Sequence, residues 1–166
     1  HKYKKSLNYS KPENIPDFPL TVSFELVNRC NLKCIMCYTD NHKQTKHTLE
    51  IGIIKSVLEE CKENDTPAAV IGMGSEALLY KDMKQVVSSM RDCDVMDIFF
   101  GTNATLMTED ISQFFVDQRV ARVEISLDAA TPETYKTIRT KDELHIVEEN
   151  VRKLVEIKKK NNSALP

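Results

Sequence analysis

Four times along these 166 residues a short apolar, β-prone run is followed by a stretch of helical spacing, and nothing else in the sequence limits the fold as much. Leu20 to Val27 (Leu-Thr-Val-Ser-Phe-Glu-Leu-Val) reads as a first strand. Ile54, Val57, Leu58 and Cys61 then recur at the spacing of an amphipathic helix. Ala68 to Met73, between Pro67 and Gly74, is a second strand, and Met83, Val86, Val87 and Met90 mark a second helix. Met96 to Phe100, ending at Gly101, is a third strand, followed by Ile111, Phe114 and Phe115 on a helix capped by Thr108. Ala121 to Leu127 is a fourth strand. Thr131-Pro132-Glu133 has the cap, first-turn proline and acidic first turn of a short helix reaching about Ile138. Val147, Val151, Leu154 and Val155 define a longer last helix.

Such β-α alternation predicts an α/β fold with a parallel sheet and right-handed crossovers. Four units do not close a barrel easily, so the sheet is expected to be open or the chain to be a piece of something longer. A parallel sheet normally has both faces covered, and the inner face here would be bare unless another element fills it. Residues 1–19, polar and carrying Pro12, Pro16 and Pro19, read as an N-terminal extension, with the domain proper at 20–166.

Hydrophobic residues at 41% and charged residues at 29% permit a packed core. A net charge of −2 gives no basic footprint for nucleic acid. Lys2, Lys4 and Lys5 at one end and Lys158, Lys159 and Lys160 at the other read as solvated termini. No run is long and apolar enough to span a bilayer, and the polar start lacks a secretory signal, so a cytoplasmic location is expected. The first residue is His1 rather than Met, which also reads as a piece of a longer chain.

Three of the five cysteines, Cys30, Cys34 and Cys37, fall within eight residues, on the loop after the first strand. Clustered cysteines in a cytosolic chain point to a metal rather than to disulfides. The spacing is Cys-x3-Cys-x2-Cys. Three thiolates can hold an iron–sulfur cluster with one iron open to a ligand. Zinc is the competing occupant, with His42 or His47 as the fourth ligand of a Cys3His structural or interaction module.

The neighbouring segments resemble the radical S-adenosylmethionine (radical SAM) superfamily. Asn28-Arg29-Cys30-Asn31-Leu32-Lys33-Cys34-Ile35-Met36-Cys37 is similar to its cluster motif, with Met36 at the usually aromatic place, and looks like the SPASM-type branch. Gly72-Met73-Gly74-Ser75-Glu76-Ala77-Leu78-Leu79 resembles Gly-Gly-Glu-Pro-Leu-Leu, with Ser75 for the second glycine and Ala77 for proline. Thr102-Asn103-Ala104-Thr105-Leu106 resembles Thr-Asn-Gly-Thr-Leu, and Ser126-Leu127-Asp128-Ala129-Ala130 to Arg139 follows in the expected order.

The resemblance, from about residue 20 to the end, implies four β-α units of a partial (β/α)6 TIM-like barrel, truncated before the fifth strand. It implies a [4Fe–4S] cluster on Cys30, Cys34 and Cys37, with S-adenosylmethionine on the open iron as the source of a 5′-deoxyadenosyl radical for hydrogen abstraction. Gly74, Ser75 and Glu76 would meet the cofactor's amino group, chiefly through backbone carbonyls. Ser126 and Arg139 would hold its ribose or carboxylate, Asn103 would line the site, and Met36 and Tyr38 would flank the adenine. An external electron donor and a peptide or protein substrate follow from the same likeness. Plainer roles stand beside these: a strand-ending turn at Gly74, a turn asparagine at Asn103, a polar strand residue at Ser126, a surface arginine at Arg139 and packing at Tyr38. An electron-transfer protein that never binds the cofactor is a further alternative. Cys61 reads as core, Cys93 has no role, and Glu59-Glu60 and Glu148-Glu149 read as solvated helix faces. An open fourth strand predicts that a chain ending here self-associates or belongs to something larger.

Overall fold

A computed structural model describes residues 15–38 and 46–166. Its sheet has four parallel strands in the order of the chain: β1 (Thr21–Phe24), β2 (Ala68–Ile71), β3 (Asp97–Thr102) and β4 (Arg122–Ile125). The helices are α1 (Ile51–Glu63), α2 (Met83–Asp92), α3 (Glu109–Asp117), α4 (Pro132–Arg139) and α5 (Leu144–Lys160), and a 3-10 turn covers Ala77–Leu79. The expected alternation and the partial-barrel α/β class are both present.

Side chains alternate across a strand. One face of the sheet sends Phe24, Ile71, Ile98 and Phe100 into a core with Ile54 and Leu58 of α1, Val86 and Met90 of α2, Phe115 of α3 and Val147 of α5. Phe100 and Phe115 stack at 4.8 Å between ring centroids. The other face carries the row Ser23, Val70, Phe99 and Arg122. Ser23 and Arg122 are exposed there, and the Arg122 guanidinium lies 4.2 Å from the Phe99 ring centre. Phe99 on this face is buried and Val70 half-buried.

Helix ends follow local chemistry. The Thr108 hydroxyl accepts from Ile111 N–H, and the Thr131 hydroxyl accepts from Thr134 N–H with Pro132 in the first turn. Thr140 ends α4 in the left-handed conformation. Lys158, Lys159 and Lys160 occupy the last turn of α5, where positive charge is favoured by the helix dipole. Lys2, Lys4 and Lys5 lie outside the described residues.

Several strand limits differ from the sequence expectation. β1 stops at Phe24, because the chain turns there to pair elsewhere: Val27 bridges Thr48, and Leu26 C=O accepts from Leu49 N–H at 2.9 Å. β2 stops at Ile71 and leaves Met73 60% exposed. β3 starts after the exposed Met96 and runs through Gly101 instead of ending there. Gly101 stays in the strand because Gly72 lies against it: a Cβ on Gly101 would come within 2.7 Å of the Gly72 carbonyl oxygen. On α5, Val155 is exposed and Leu144 and Ile157 are buried in its stead.

Candidate cofactor site

All four strands deliver their C-terminal loops to one end of the sheet, and one cleft opens there. It has a volume of about 130 Å³ and takes its walls from every predicted segment. Cys30, Cys34, Cys37 and Tyr38 come from the loop after β1. Gly74, Ser75 and Glu76 follow β2, Asn103 follows β3, Ser126 follows β4, and Arg139 ends α4. Of the sequence-predicted residues, only Met36 is not part of the lining, and it is 56% exposed. The functional ends of open parallel sheets lie at this edge.

The cysteine loop is fastened on both sides. Ile35 N–H donates to Ile138 C=O at 2.9 Å, and Glu76 N–H donates to Arg29 C=O at 3.2 Å. The sulfurs of Cys30 and Cys34 face donors. Cys30 Sγ receives Leu32 N–H at 3.4 Å and the Asn103 amide at 3.6 Å. Cys34 Sγ receives Arg139 Nη1 at 3.2 Å. Asn103 is aimed by a closed ring of hydrogen bonds. Its amide donates to Asn31 Oδ1, the Asn31 amide donates to Thr105 Oγ1, and that hydroxyl donates to Asn103 Oδ1. Burial pushes the Cys30 thiol up, against the pull of Leu32 N–H, and the nearby Glu76 carboxylate adds to the rise. Donors directed at sulfur suit a thiolate ligand set. Among the described residues no three His, Cys, Asp or Glu side chains converge tightly enough for a single metal ion. The three cysteines line one cleft, where thiolate ligands of an iron–sulfur centre would lie together. His47 is not in the lining, and His42 lies outside the described residues.

Glu76 is buried and turned away from solvent. Its carboxylate accepts from Leu78 N–H, Thr102 Oγ and Asn103 N–H at 3.1, 2.8 and 2.8 Å. It therefore ties the loop after β2 to the loop after β3, and burial raises its pKa despite these bonds. Ala104 follows Asn103 with φ of 60°, the left-handed region in which the Thr-Asn-Gly-Thr pattern has glycine. The Asn150 amide of α5 donates to Ala104 C=O at 2.8 Å and steadies that turn.

Arg139 is 7% exposed, so the surface reading is wrong. Nη2 forms an ion pair with Asp128, Nη1 reaches Cys34, and Nε is a buried donor with no partner. Tyr38 is 63% exposed and lays its hydroxyl against Gly74, in the space that a Cβ would fill. That contact gives Gly74 a steric reason beyond an ordinary turn. Sequence reasoning missed Asn31, Asp128 and Glu25. Glu25, just past β1, accepts from Met73 N–H, Gly74 N–H and the Ser75 hydroxyl, each at 2.9 Å. A carboxylate at the end of an otherwise apolar strand was the available signal.

Residues 24–165 match the model of the Radical SAM superfamily, and the chain belongs to that superfamily. The superfamily works with a [4Fe–4S] cluster and S-adenosylmethionine. Similar curated proteins are the "Probable GTP 3′,8-cyclase" of Methanocaldococcus jannaschii, 27% identical over 141 residues, and that of Methanococcus maripaludis strain C5, 31% identical over 134 residues. The matches cover 82% and 78% of this chain but 46% and 43% of those proteins. The chain thus spans about half the length of the curated relatives it matches. In fold it resembles anSMEcpe with bound AdoMet, at a TM-score of 0.70 and 19% identity over 84% of this chain and 42% of that one. It also resembles Streptococcus suis SuiB bound to precursor peptide SuiA, at a TM-score of 0.66 and 18% identity over 96% and 41%. These comparisons show the superfamily, and the narrower SPASM-type branch rests on the cysteine phrase alone.

Proposed function

We propose that residues 20–166 are the cofactor-binding part of a radical SAM enzyme that abstracts hydrogen from its substrate. The observation that carries this reading is the meeting of residues from five separate segments in one cleft beside three cysteines. Cys30, Cys34 and Cys37 would hold the cluster. Bound together, cluster and S-adenosylmethionine supply one-electron cleavage of the sulfonium and a carbon radical.

This chain's residues then bind and orient. The backbone of Gly74–Glu76 would take the methionyl ammonium, while Ser126 would take the ribose or carboxylate. Arg139, held by Asp128 and directed at Cys34, would place its positive charge beside the cofactor's carboxylate. Asn103 would stay on the cluster side, since its amide points at Cys30. Tyr38 and Met36 would frame the adenine from the rim. An external donor would supply the electron, and reduced thiols suit the cytoplasm.

For the substrate we infer a peptide or protein. This rests on the cysteine phrase and on fold likeness to SuiB, whose structure holds a precursor peptide. The second reading is a purine nucleotide, favoured by the sequence relatives named GTP 3′,8-cyclase. The test is 5′-deoxyadenosine release by anaerobically reconstituted full-length protein, offered peptides or GTP. Release stimulated by peptide supports the first reading, and release stimulated by GTP alone replaces it with the second. The Cys34→Ala variant is expected to lose the intact cluster and all release. Full cluster occupancy in that variant would overturn the ligand assignment.

A further inference from the structure

Ser75 stands where the superfamily pattern has glycine, and its hydroxyl is not idle: it donates to Glu25 Oε2 at 2.9 Å. The other oxygen of the same carboxylate, Oε1, takes Met73 N–H and Gly74 N–H, both at 2.9 Å. One side chain at the exit of β1 thus holds three consecutive residues almost fifty positions away, on the loop after β2. A carboxylate has acceptor sites for all three, and hydrogen bonds to it are stronger than neutral ones.

The consequence is directional. A trans peptide unit points its C=O opposite to its N–H. Fixing the N–H groups of Met73 and Gly74 on Glu25 therefore fixes the peptide planes that enter Met73 and Gly74, and the Ser75 hydroxyl carries the same hold into the Gly74–Glu76 segment. Gly72 and Gly101 are in backbone contact, so the loop is pinned from below, while Tyr38 covers Gly74 from above. Glu25 is a further tie, beside the bonds that Glu76 makes to Arg29, Thr102 and Asn103, and it also sets a carboxylate beside backbone that must receive a cation.

We propose that Glu25 is a positioning residue for the cofactor's ammonium end, with Ser75 as its partner, so that the serine strengthens a brace rather than merely replacing glycine. This rests on the reading of the cleft given above. Glu25 touches no cofactor atom in this role. It acts through the Met73–Ser75 backbone.

The test uses full-length, cluster-loaded protein and S-adenosylmethionine itself. Glu25→Ala is expected to weaken cofactor binding about tenfold with iron and sulfide content unchanged. Ser75→Ala is expected to weaken it a few fold in the wild-type background and not at all in Glu25→Ala, because the two side chains act as one unit. Without any cofactor, amide exchange at Met73 and Gly74 is expected to speed up in Glu25→Ala while β3 amides keep their protection. Wild-type affinity in Glu25→Ala would overturn the role, as would equal Ser75→Ala losses in both backgrounds. So would loss of the cluster along with binding, which would make Glu25 a general scaffold residue. Failure of wild-type, cluster-loaded protein to bind S-adenosylmethionine is a different result, which removes the reading of the cleft and this role with it.

Discussion

At the scale of single residues, the sequence showed the proposed ligands and hid their supports. Cys30, Cys34 and Cys37 are legible because their chemistry is packed into one short phrase. Glu25, Asn31 and Asp128 are not, because each acquires its role only from partners brought close by folding. Glu76 was legible as part of a motif, but its burial was not. Its folded pKa lies above the ordinary value of 4.5, chiefly through burial. The folded state thus keeps a proton that the unfolded chain releases. Stability from this group is full below pH 4.5 and falls as pH rises through the raised folded pKa. Urea unfolding followed across that range should show the decline in wild type. Glu76→Gln should remove this part of the pH slope and be less stable by about 1–3 kcal/mol, since an amide donor would meet Asn103 N–H. An unchanged pH slope in the variant would contradict the account.

At the scale of elements, apolar pattern located all four strands but not their ends. Leu26 and Val27 are as buried as strand residues, yet they lie outside the sheet. Hydrophobicity reports burial and not ladder pairing, so β1 read too long. The reverse held at Gly101, where a glycine looked like a strand end and is instead a close crossing of two backbones. The contact predicts a definite cost. Gly101→Ala puts a methyl against the Gly72 carbonyl, a backbone group that cannot swing aside, and should destabilise by about 1–3 kcal/mol. Gly52→Ala, on α1 with no neighbour within 4 Å of the new methyl, should instead gain about 0.4–1 kcal/mol. Denaturant titration of both variants checks the pair, and similar effects at the two sites would count against the crossing.

At the scale of the molecule, the sheet has β1 and β4 at its edges, and β4 pairs only with β3 among the described residues. The inner face is charged and uncovered there, as at Arg122 and Glu124. No helix among the described residues is long and apolar enough to cross a membrane. We expect these 166 residues, taken alone, to self-associate through the β4 edge, and light scattering over a range of concentrations reads this directly. A monomer that unfolds in one fully cooperative step would contradict it. The central claim is that the cleft brings a three-cysteine cluster and S-adenosylmethionine together. Its most direct test is electron paramagnetic resonance of anaerobically reconstituted, reduced full-length protein, with and without the cofactor. The account predicts a [4Fe–4S] signal that shifts when S-adenosylmethionine is added. A cluster signal indifferent to the cofactor, or a preparation holding zinc without sulfide, would contradict it.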